Sequence, residues 1–129
     1  MVGGPNRDHS AHARPGDLAR VARGRWGEDQ ADRWYRAHGY DVLDRNWRCD
    51  AGELDLVVAT GRTVVFVEVK ARATDYFGAA SSAVDHRKQR RLRILAARWF
   101  AEHPDRHGPT RFDVVAITGT QVEVLIAAF

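Results

Sequence analysis

Hydrophobic residues recur with two different spacings along the chain and divide it into helical and extended segments. Over residues 18–38 apolar positions recur every three to four residues, and Gly39 follows as a helix-ending residue, which predicts a first helix. A second helical pattern spans residues 82–102, with Ser82 as the expected N-cap and Asp85 at the acidic third position. Shorter apolar runs between turn residues predict five strands, at residues 40–48, 53–59, 63–71, 111–118 and 121–127.

The order of these segments, α-β-β-β-α-β-β, predicts a mixed α/β fold. Gly61 separates two Val-rich runs and indicates an antiparallel hairpin, whereas the long helix between the third and fourth strands indicates a parallel pair. We therefore expect a mixed five-stranded sheet flanked by helices, formed by a single domain of residues 18–129. Residues 1–17 are rich in Gly, Pro, His and Arg without an apolar period, and they are predicted to form a disordered tail.

The composition is typical of a small intracellular globular protein. The chain has 129 residues, of which 44% are hydrophobic, and a net charge of +3. The single cysteine, Cys49, excludes an intramolecular disulfide and a multi-cysteine zinc site. No apolar run reaches the ~18–20 residues of a membrane span, and the N-terminus lacks the apolar stretch of a secretory signal. A cytoplasmic protein without a membrane partner is expected.

Two charged residues interrupt the apolar faces of the predicted helices. Glu28 shares the packing face of the first helix with Gly24 and Gly27, and each glycine costs about 1 kcal/mol in a helix interior, so another group is expected to approach closely there. Lys88 lies inside the apolar stripe of the second helix, and Lys70 and Lys88 are the two lysines among 20 basic residues. Structural alternatives remain open: Glu28 can pair with an arginine or a backbone N–H, and Lys88 can extend to water or reach the end of the sheet.

Two carboxylates are predicted to face each other across the hairpin. Strand alternation places Asp55 on one face of the second strand and both Leu54 and Leu56 on the other, while Glu68 and Lys70 share a face of the third strand. The tight turn pairs positions whose residue numbers sum to about 122–123. Asp55 and Glu68 are therefore expected to be cross-strand neighbours with Cβ atoms about 5 Å apart.

Facing like charges destabilise a sheet unless a cation separates them. A hard divalent ion such as Mg²⁺ or Mn²⁺ prefers carboxylate oxygens together with water and phosphate oxygens. We predict that Asp55, Glu68 and Glu28 supply the carboxylates, and that Lys70 holds or deprotonates the attacking water and offsets charge on phosphorus. This set of groups is typical of metal-dependent phosphodiester hydrolysis.

The second helix also carries six basic residues and one acid between Val84 and Phe100. A solvated helix face is the simpler explanation, and a surface that contacts phosphates is the alternative. On that alternative, nucleic acid is bound by one lysine and four arginines: Lys88, Arg87, Arg91, Arg72 and Arg48.

Several of these residues resemble a known motif. Asp55, twelve further residues and then Glu68-Val69-Lys70 resemble the PD-(D/E)XK nuclease motif, with Glu28 matching the acidic residue on its first helix. Over about residues 20–127 the chain is similar to the YraN family of small bacterial proteins, which is related in fold to archaeal Holliday junction resolvases. The matching stretches are Gly27-Glu28, Gly39-Tyr40, Arg45-Asn46-Trp47-Arg48, Gly52-Glu53-Leu54-Asp55-Leu56, Val65-Phe66-Val67-Glu68-Val69-Lys70, Gly78, Lys88 and Arg111-Phe112-Asp113.

The resemblance implies a restriction-endonuclease-like core and a Mg²⁺- or Mn²⁺-dependent endonuclease. It assigns the catalytic positions to Glu28, Asp55, Glu68 and Lys70, with Lys88 or its neighbour Gln89 at a helix position that completes such sites. Leu54 stands where the name of the motif has Pro, a departure that is often found in resolvase-like members.

The resemblance alone points to branched or flapped DNA, to repair or recombination and to a homodimer. Two other functions stay open: a non-catalytic nucleic-acid-binding or repair-scaffold protein that retains the fold, and a globular protein whose polar cluster is a structural ion-pair network.

Overall fold

Seven elements form in the predicted order. A computed structural model describes residues 15–72 and 84–129, so most of the predicted tail and the predicted loop around Gly78 lie outside the described residues. The elements are α1 (Pro15–Ala37), β1 (Asp41–Cys49), β2 (Gly52–Thr60), β3 (Thr63–Arg72), α2 (His86–Glu102), β4 (Thr110–Thr118) and β5 (Gln121–Leu125). None of the helices in the described part of the chain is long and apolar enough to cross a membrane.

The helices begin at positions that differ from the prediction. α1 starts at Pro15 rather than near Leu18, because proline suits the first turn of a helix, where its missing N–H is not needed. α2 starts at His86, and its N-cap is Asp85, whose carboxylate accepts a hydrogen bond from the Lys88 N–H. Ser82, the predicted N-cap, lies outside the described residues.

The five strands form one mixed sheet in the order β1-β2-β3-β4-β5. Neighbouring strands are antiparallel except β3 and β4, which run parallel from Val64↔Thr110 to Arg72↔Thr118. The parallel pair follows from α2, which connects the two strands and returns the chain to the same end of the sheet. The predicted mixed α/β architecture, with helices flanking a five-stranded sheet, is confirmed.

Each helix covers one face of the sheet and forms its own core. On the α2 face, Leu92, Leu95 and Trp99 pack against residues that include Val57 and Phe66. On the α1 face, the buried residues are Ala31, Tyr35, Leu56, Val58, Val65, Val67, Val115 and Ile117. The sheet therefore separates two apolar layers, and a side chain on β2 or β3 belongs to one layer or the other.

The end of the β1–β2 hairpin departs from simple alternation. Leu54 and Leu56 were expected on one face, but Leu54 packs in the α2 core and Leu56 in the α1 core, so that expectation is wrong. The reason lies in the paired strand, where Asn46 adopts a φ of 54°, in the left-handed region that strand residues avoid. Pairing is present at Trp47↔Leu54 and Arg45↔Leu56 and is interrupted between them, opposite Asp55. The local twist at Asn46 thus turns Leu54 towards α2.

Gly27 brings α1 close to the sheet. A Cβ atom at this position would lie 3.2 Å from Ile117 Cγ1 and 3.3 Å from Val69 Cγ1, whereas one at Gly24 would meet nothing within 4 Å. The close approach that the two glycines predicted is therefore present at Gly27 and absent at Gly24. The contact lies over the same end of β3 that carries Glu68 and Lys70, so Gly27 brings the neighbouring Glu28 near that end.

Candidate metal centre

Asp55 and Glu68 lie where the β2–β3 pairing stops. The pairs from Thr60↔Thr63 to Leu56↔Val67 have residue numbers that sum to 123, which agrees with the predicted pairing. The next pair would join Asp55 and Glu68. Instead, the Val69 N–H donates a hydrogen bond of 2.9 Å to Asp55 Oδ2, so a side-chain carboxylate replaces a strand carbonyl at this edge of β3.

The Asp55 carboxyl group is held in surroundings that oppose its ionisation. The pKa of Asp55 is raised to about 8, first by burial and next by the negative charge of Glu68. Glu28 and Glu53 contribute smaller increases to this value, while the Val69 N–H acts in the opposite direction. Asp55 therefore lies in a region of excess negative charge, to which Glu68, the carboxylate expected beside it, contributes.

Glu68 is buried and is paired with a lysine from α2. Its side chain is 8% exposed, and the Nζ atom of Lys88 lies 2.6 Å from its Oε2 atom. Lys88 reaches the sheet from the first turn of α2, so of the two alternatives raised for this lysine, the structure shows the one in which it reaches the end of the sheet. The ion pair connects β3 to α2 directly beside Asp55.

Glu28 approaches the same region from α1. Burial raises the pKa of the Glu28 carboxyl, and a hydrogen bond from Asn46 and the charge of Arg45 counteract the effect. Arg45 Nη2 lies 3.9 Å from Glu28 Oε1 but 2.8 Å from Asp29 Oδ1, so the arginine pairs more closely with Asp29. Pairing with an arginine was one structural alternative for Glu28, and the contact with Arg45 that corresponds to it is long, at 3.9 Å.

The donor set suits a hard divalent cation bound by two carboxylates. Within residues 15–72 and 84–129, no three His, Cys, Asp or Glu side chains come close enough together to hold a metal ion, so Glu28 does not complete a three-carboxylate set. Asp55 uses Oδ2 for Val69, and Glu68 uses Oε2 for Lys88, so the contacts among the described residues leave one oxygen of each carboxylate for a cation. Mg²⁺ commonly takes one or two carboxylates and fills its remaining positions with water and substrate phosphate oxygens.

The other predicted site residues lie on β3, on α2 and on β1. Lys70 is exposed on β3, two residues beyond Glu68. Arg87 and Arg91 are exposed on α2, and Arg91 extends over the β1–β2 turn at Gly52. Arg48 is paired with Glu53, with Nε and Oε2 3.4 Å apart.

The last of the predicted phosphate-binding residues, Arg72, is the final residue of β3, and its side chain lies outside what the structure describes.

Two residues near the site were not predicted to belong to it. Glu53 acts on the pKa values of both Asp55 and Glu28, and Asn46, which has a positive φ in β1, lowers the pKa of Glu28. Asparagine tolerates the left-handed region better than other residues with a side chain, so an Asn inside a strand pattern was the available signal.

Comparisons with known proteins identify the family. Residues 27–117 match the model of the uncharacterised protein family UPF0102. A UPF0102 protein of Frankia casuarinae is 53% identical over 100 residues, which cover 78% of this chain and 85% of the relative. A UPF0102 protein of Beutenbergia cavernae is 52% identical over 103 residues, covering 80% and 87% of the two chains. One of Ralstonia nicotianae is 42% identical over 125 residues, covering 94% and 96%. The chain belongs to UPF0102, the YraN family that its motifs resemble.

Proposed function

We propose that this protein is a Mg²⁺- or Mn²⁺-dependent endonuclease that hydrolyses phosphodiester bonds in DNA. The observation that carries the proposal is the carboxylate pair of the half-buried Asp55 and the buried Glu68, in which Lys88 lies on one oxygen of Glu68 among the residues that the structure describes. A fold that only needed stability would gain from replacing such a pair with apolar residues. A divalent cation supplies the missing positive charge and, when bound, polarises a phosphodiester for attack by water.

The surrounding side chains suit the remaining steps of hydrolysis. Lys70 is exposed at the end of β3, where its ammonium group can orient the attacking water and balance charge that develops on the phosphate oxygens. Glu28 adds negative charge next to Asp55 and is proposed to orient water or complete the cation's surroundings once substrate is bound. Asp55 and Glu68 hold the cation.

Nucleic acid is proposed as the substrate because of the charge on α2. Arg87 and Arg91 are exposed on the helix that also delivers Lys88 to the site. Exposed arginines in this arrangement bind phosphate through paired N–H donors. The preference for branched or flapped DNA rests on the family's relation to Holliday junction resolvases and not on any residue of this chain.

The test is cleavage of four fluorescent DNAs, a four-way junction, a flap, a duplex and a single strand, each with Mg²⁺, Mn²⁺ or EDTA. Glu68→Gln keeps the size of the side chain and removes the charge, and we expect at least a hundredfold loss of metal-dependent cleavage, on the order of one electrostatic catalytic contact. Glu123→Gln is the matched control, because Glu123 is exposed on β5, and it should cleave at the wild-type rate.

The rival function, a non-catalytic nucleic-acid-binding protein, is favoured by the same arginine-rich helix. It predicts salt-sensitive DNA binding by wild type and by Glu68→Gln, with no cleavage by either protein in Mg²⁺ or Mn²⁺. That pattern would contradict the endonuclease proposal.

A further inference from the structure

The position of Lys88 is costly for the helix that carries it. Lys88 lies in the first turn of α2, which has no acidic residue after the N-cap Asp85. The N-terminal turn of a helix carries a partial positive charge and disfavours cations, so α2 gains nothing from a lysine here. The side chain is instead directed to the sheet, where Nζ lies 2.6 Å from Glu68 Oε2.

The contact is buried at one end and accessible at the other. Glu68 has 8% of its side chain exposed and Lys88 has 37%. The carboxylate is therefore fixed in the sheet, whereas the lysine lies at the protein surface on a flexible four-carbon stem. The ammonium group can leave Glu68 by rotation of its own side chain, without movement of α2 or β3.

A divalent cation and the Lys88 ammonium compete for the same charge. One ammonium cannot neutralise Asp55 and Glu68 together, and a cation of charge +2 bound between them would repel the ammonium at close range. A phosphate group in the site would attract it, and Arg87 and Arg91 are exposed on the same part of α2. The lysine therefore has a reason to leave Glu68 and a second anion to bind.

We propose that Lys88 is an exchangeable counter-ion: it pairs with Glu68 while no divalent cation is bound, and it moves to a DNA phosphate when the cation arrives. The exchange rests on the proposed function. It couples metal binding to DNA binding, because a bound metal ion releases the Lys88 ammonium to contact a DNA phosphate. It makes two predictions of opposite sign for the loss of Lys88. The affinity for metal alone should rise, and the gain in DNA affinity that metal provides should fall.

The test compares the full chain with Lys88→Met and with Arg90→Met, which removes one positive charge from an exposed position on the same helix. Isothermal titration with Mn²⁺ alone gives the metal affinity. We expect about fivefold or tighter binding by Lys88→Met and a smaller change for Arg90→Met, since the lost contact is a hydrogen bond between charged groups. Circular dichroism and the Tm check the fold, and Lys88→Gln is the second variant if Met alters it.

Fluorescence anisotropy of a labelled four-way junction, in EDTA and in Mn²⁺ before measurable cleavage, gives the second readout. Wild type and Arg90→Met should bind more tightly in Mn²⁺, and Lys88→Met should lose most of that gain. The exchange is overturned if Lys88→Met binds Mn²⁺ no better than Arg90→Met, or if it keeps the full gain in DNA affinity. A failure of wild type and Lys88→Met alike to bind Mn²⁺ would overturn the proposed function as well, which distinguishes the two outcomes.

Discussion

At the scale of single residues, the buried Asp113 and the half-buried Asp55 show how differently the protein treats its charges. Asp113 is 0% exposed, and both of its oxygens accept hydrogen bonds, from the Arg111 guanidinium, the Tyr35 hydroxyl and the main chain. Within the described part of the chain, Asp55 accepts one hydrogen bond, from Val69, and next to it lies a second carboxylate, that of Glu68. Asp113 is compensated by the fold itself, while the charge of Asp55 is not balanced to the same degree by the residues that the structure describes.

This imbalance predicts how stability depends on pH when metal is removed. The pKa of Asp55 is about 8 in the folded protein against 3.8 for a free side chain, so folding disfavours the ionised form. The free energy of unfolding should therefore fall as the pH rises from about 4 to about 8, by on the order of 1 kcal/mol per pH unit at most. Asp55→Asn keeps an acceptor for the Val69 N–H and lacks the charge, so in EDTA its stability should fall less over this range.

Urea unfolding at several pH values in EDTA measures the effect. Asp41→Asn is the control, because Asp41 is exposed on β1, and its curve should run parallel to that of wild type. Addition of Mn²⁺ at pH 8 should raise the stability of wild type more than that of Asp55→Asn. Parallel curves for wild type and Asp55→Asn would show that the carboxylate is compensated after all.

At the scale of elements, α1 offers a matched pair of glycines that tests how closely it packs on the sheet. Gly24→Ala places a methyl group in open space, so we expect the helix propensity of alanine to stabilise the protein by about 0.5–1 kcal/mol. Gly27→Ala gains the same propensity but brings its methyl group within 3.2 Å of Ile117 and 3.3 Å of Val69. Its stability should therefore be unchanged or lower. Equal stabilisation of the two variants by chemical denaturation would mean that α1 does not approach the sheet at Gly27.

The same scale shows what could be predicted from the sequence and what could not. Apolar spacing and turn residues suffice for the order of the elements and for the pairing of β2 with β3, because both depend on patterns that extend over many residues. The twist at the end of the hairpin depends on the φ of one residue, Asn46, and no hydrophobic period reports a single dihedral angle. The sequence leaves two directions open for the Lys88 side chain, towards water or towards the end of the sheet, because a long flexible side chain can reach both. The packing of α2 on the sheet brings it to Glu68, a partner that the sequence did not predict.

At the scale of the whole molecule, a net charge of +3 does not indicate where DNA would bind. The distribution of the arginines is more informative. Several are already engaged: Arg98 is paired with Asp50, Arg48 is paired with Glu53, and Arg93 lies over the rings of Phe112 and Phe129. Engaged arginines contribute less to binding a phosphate, since a new contact would have to replace an existing one. The exposed Arg87 and Arg91 lie on the helix that also carries Lys88 to the carboxylate pair, so we expect DNA binding to depend on them.

A comparison of two double variants with equal charge tests this dependence. The first variant, Arg87→Gln with Arg91→Gln, removes two charges from α2. The second, Arg62→Gln with Arg106→Gln, removes two charges from exposed turns before the first residues of β3 and β4, at the end of these strands that lies away from Glu68 and Lys70. If α2 is the interface, the first variant should bind DNA more weakly. The slope of log K against log salt concentration should also fall by about 0.9 for each lost phosphate contact, or about 2 in total. The second variant should keep the wild-type slope, because net charge alone acts equally in both. Equal losses in the two variants would assign DNA binding to general charge and remove the reason for placing substrate against α2.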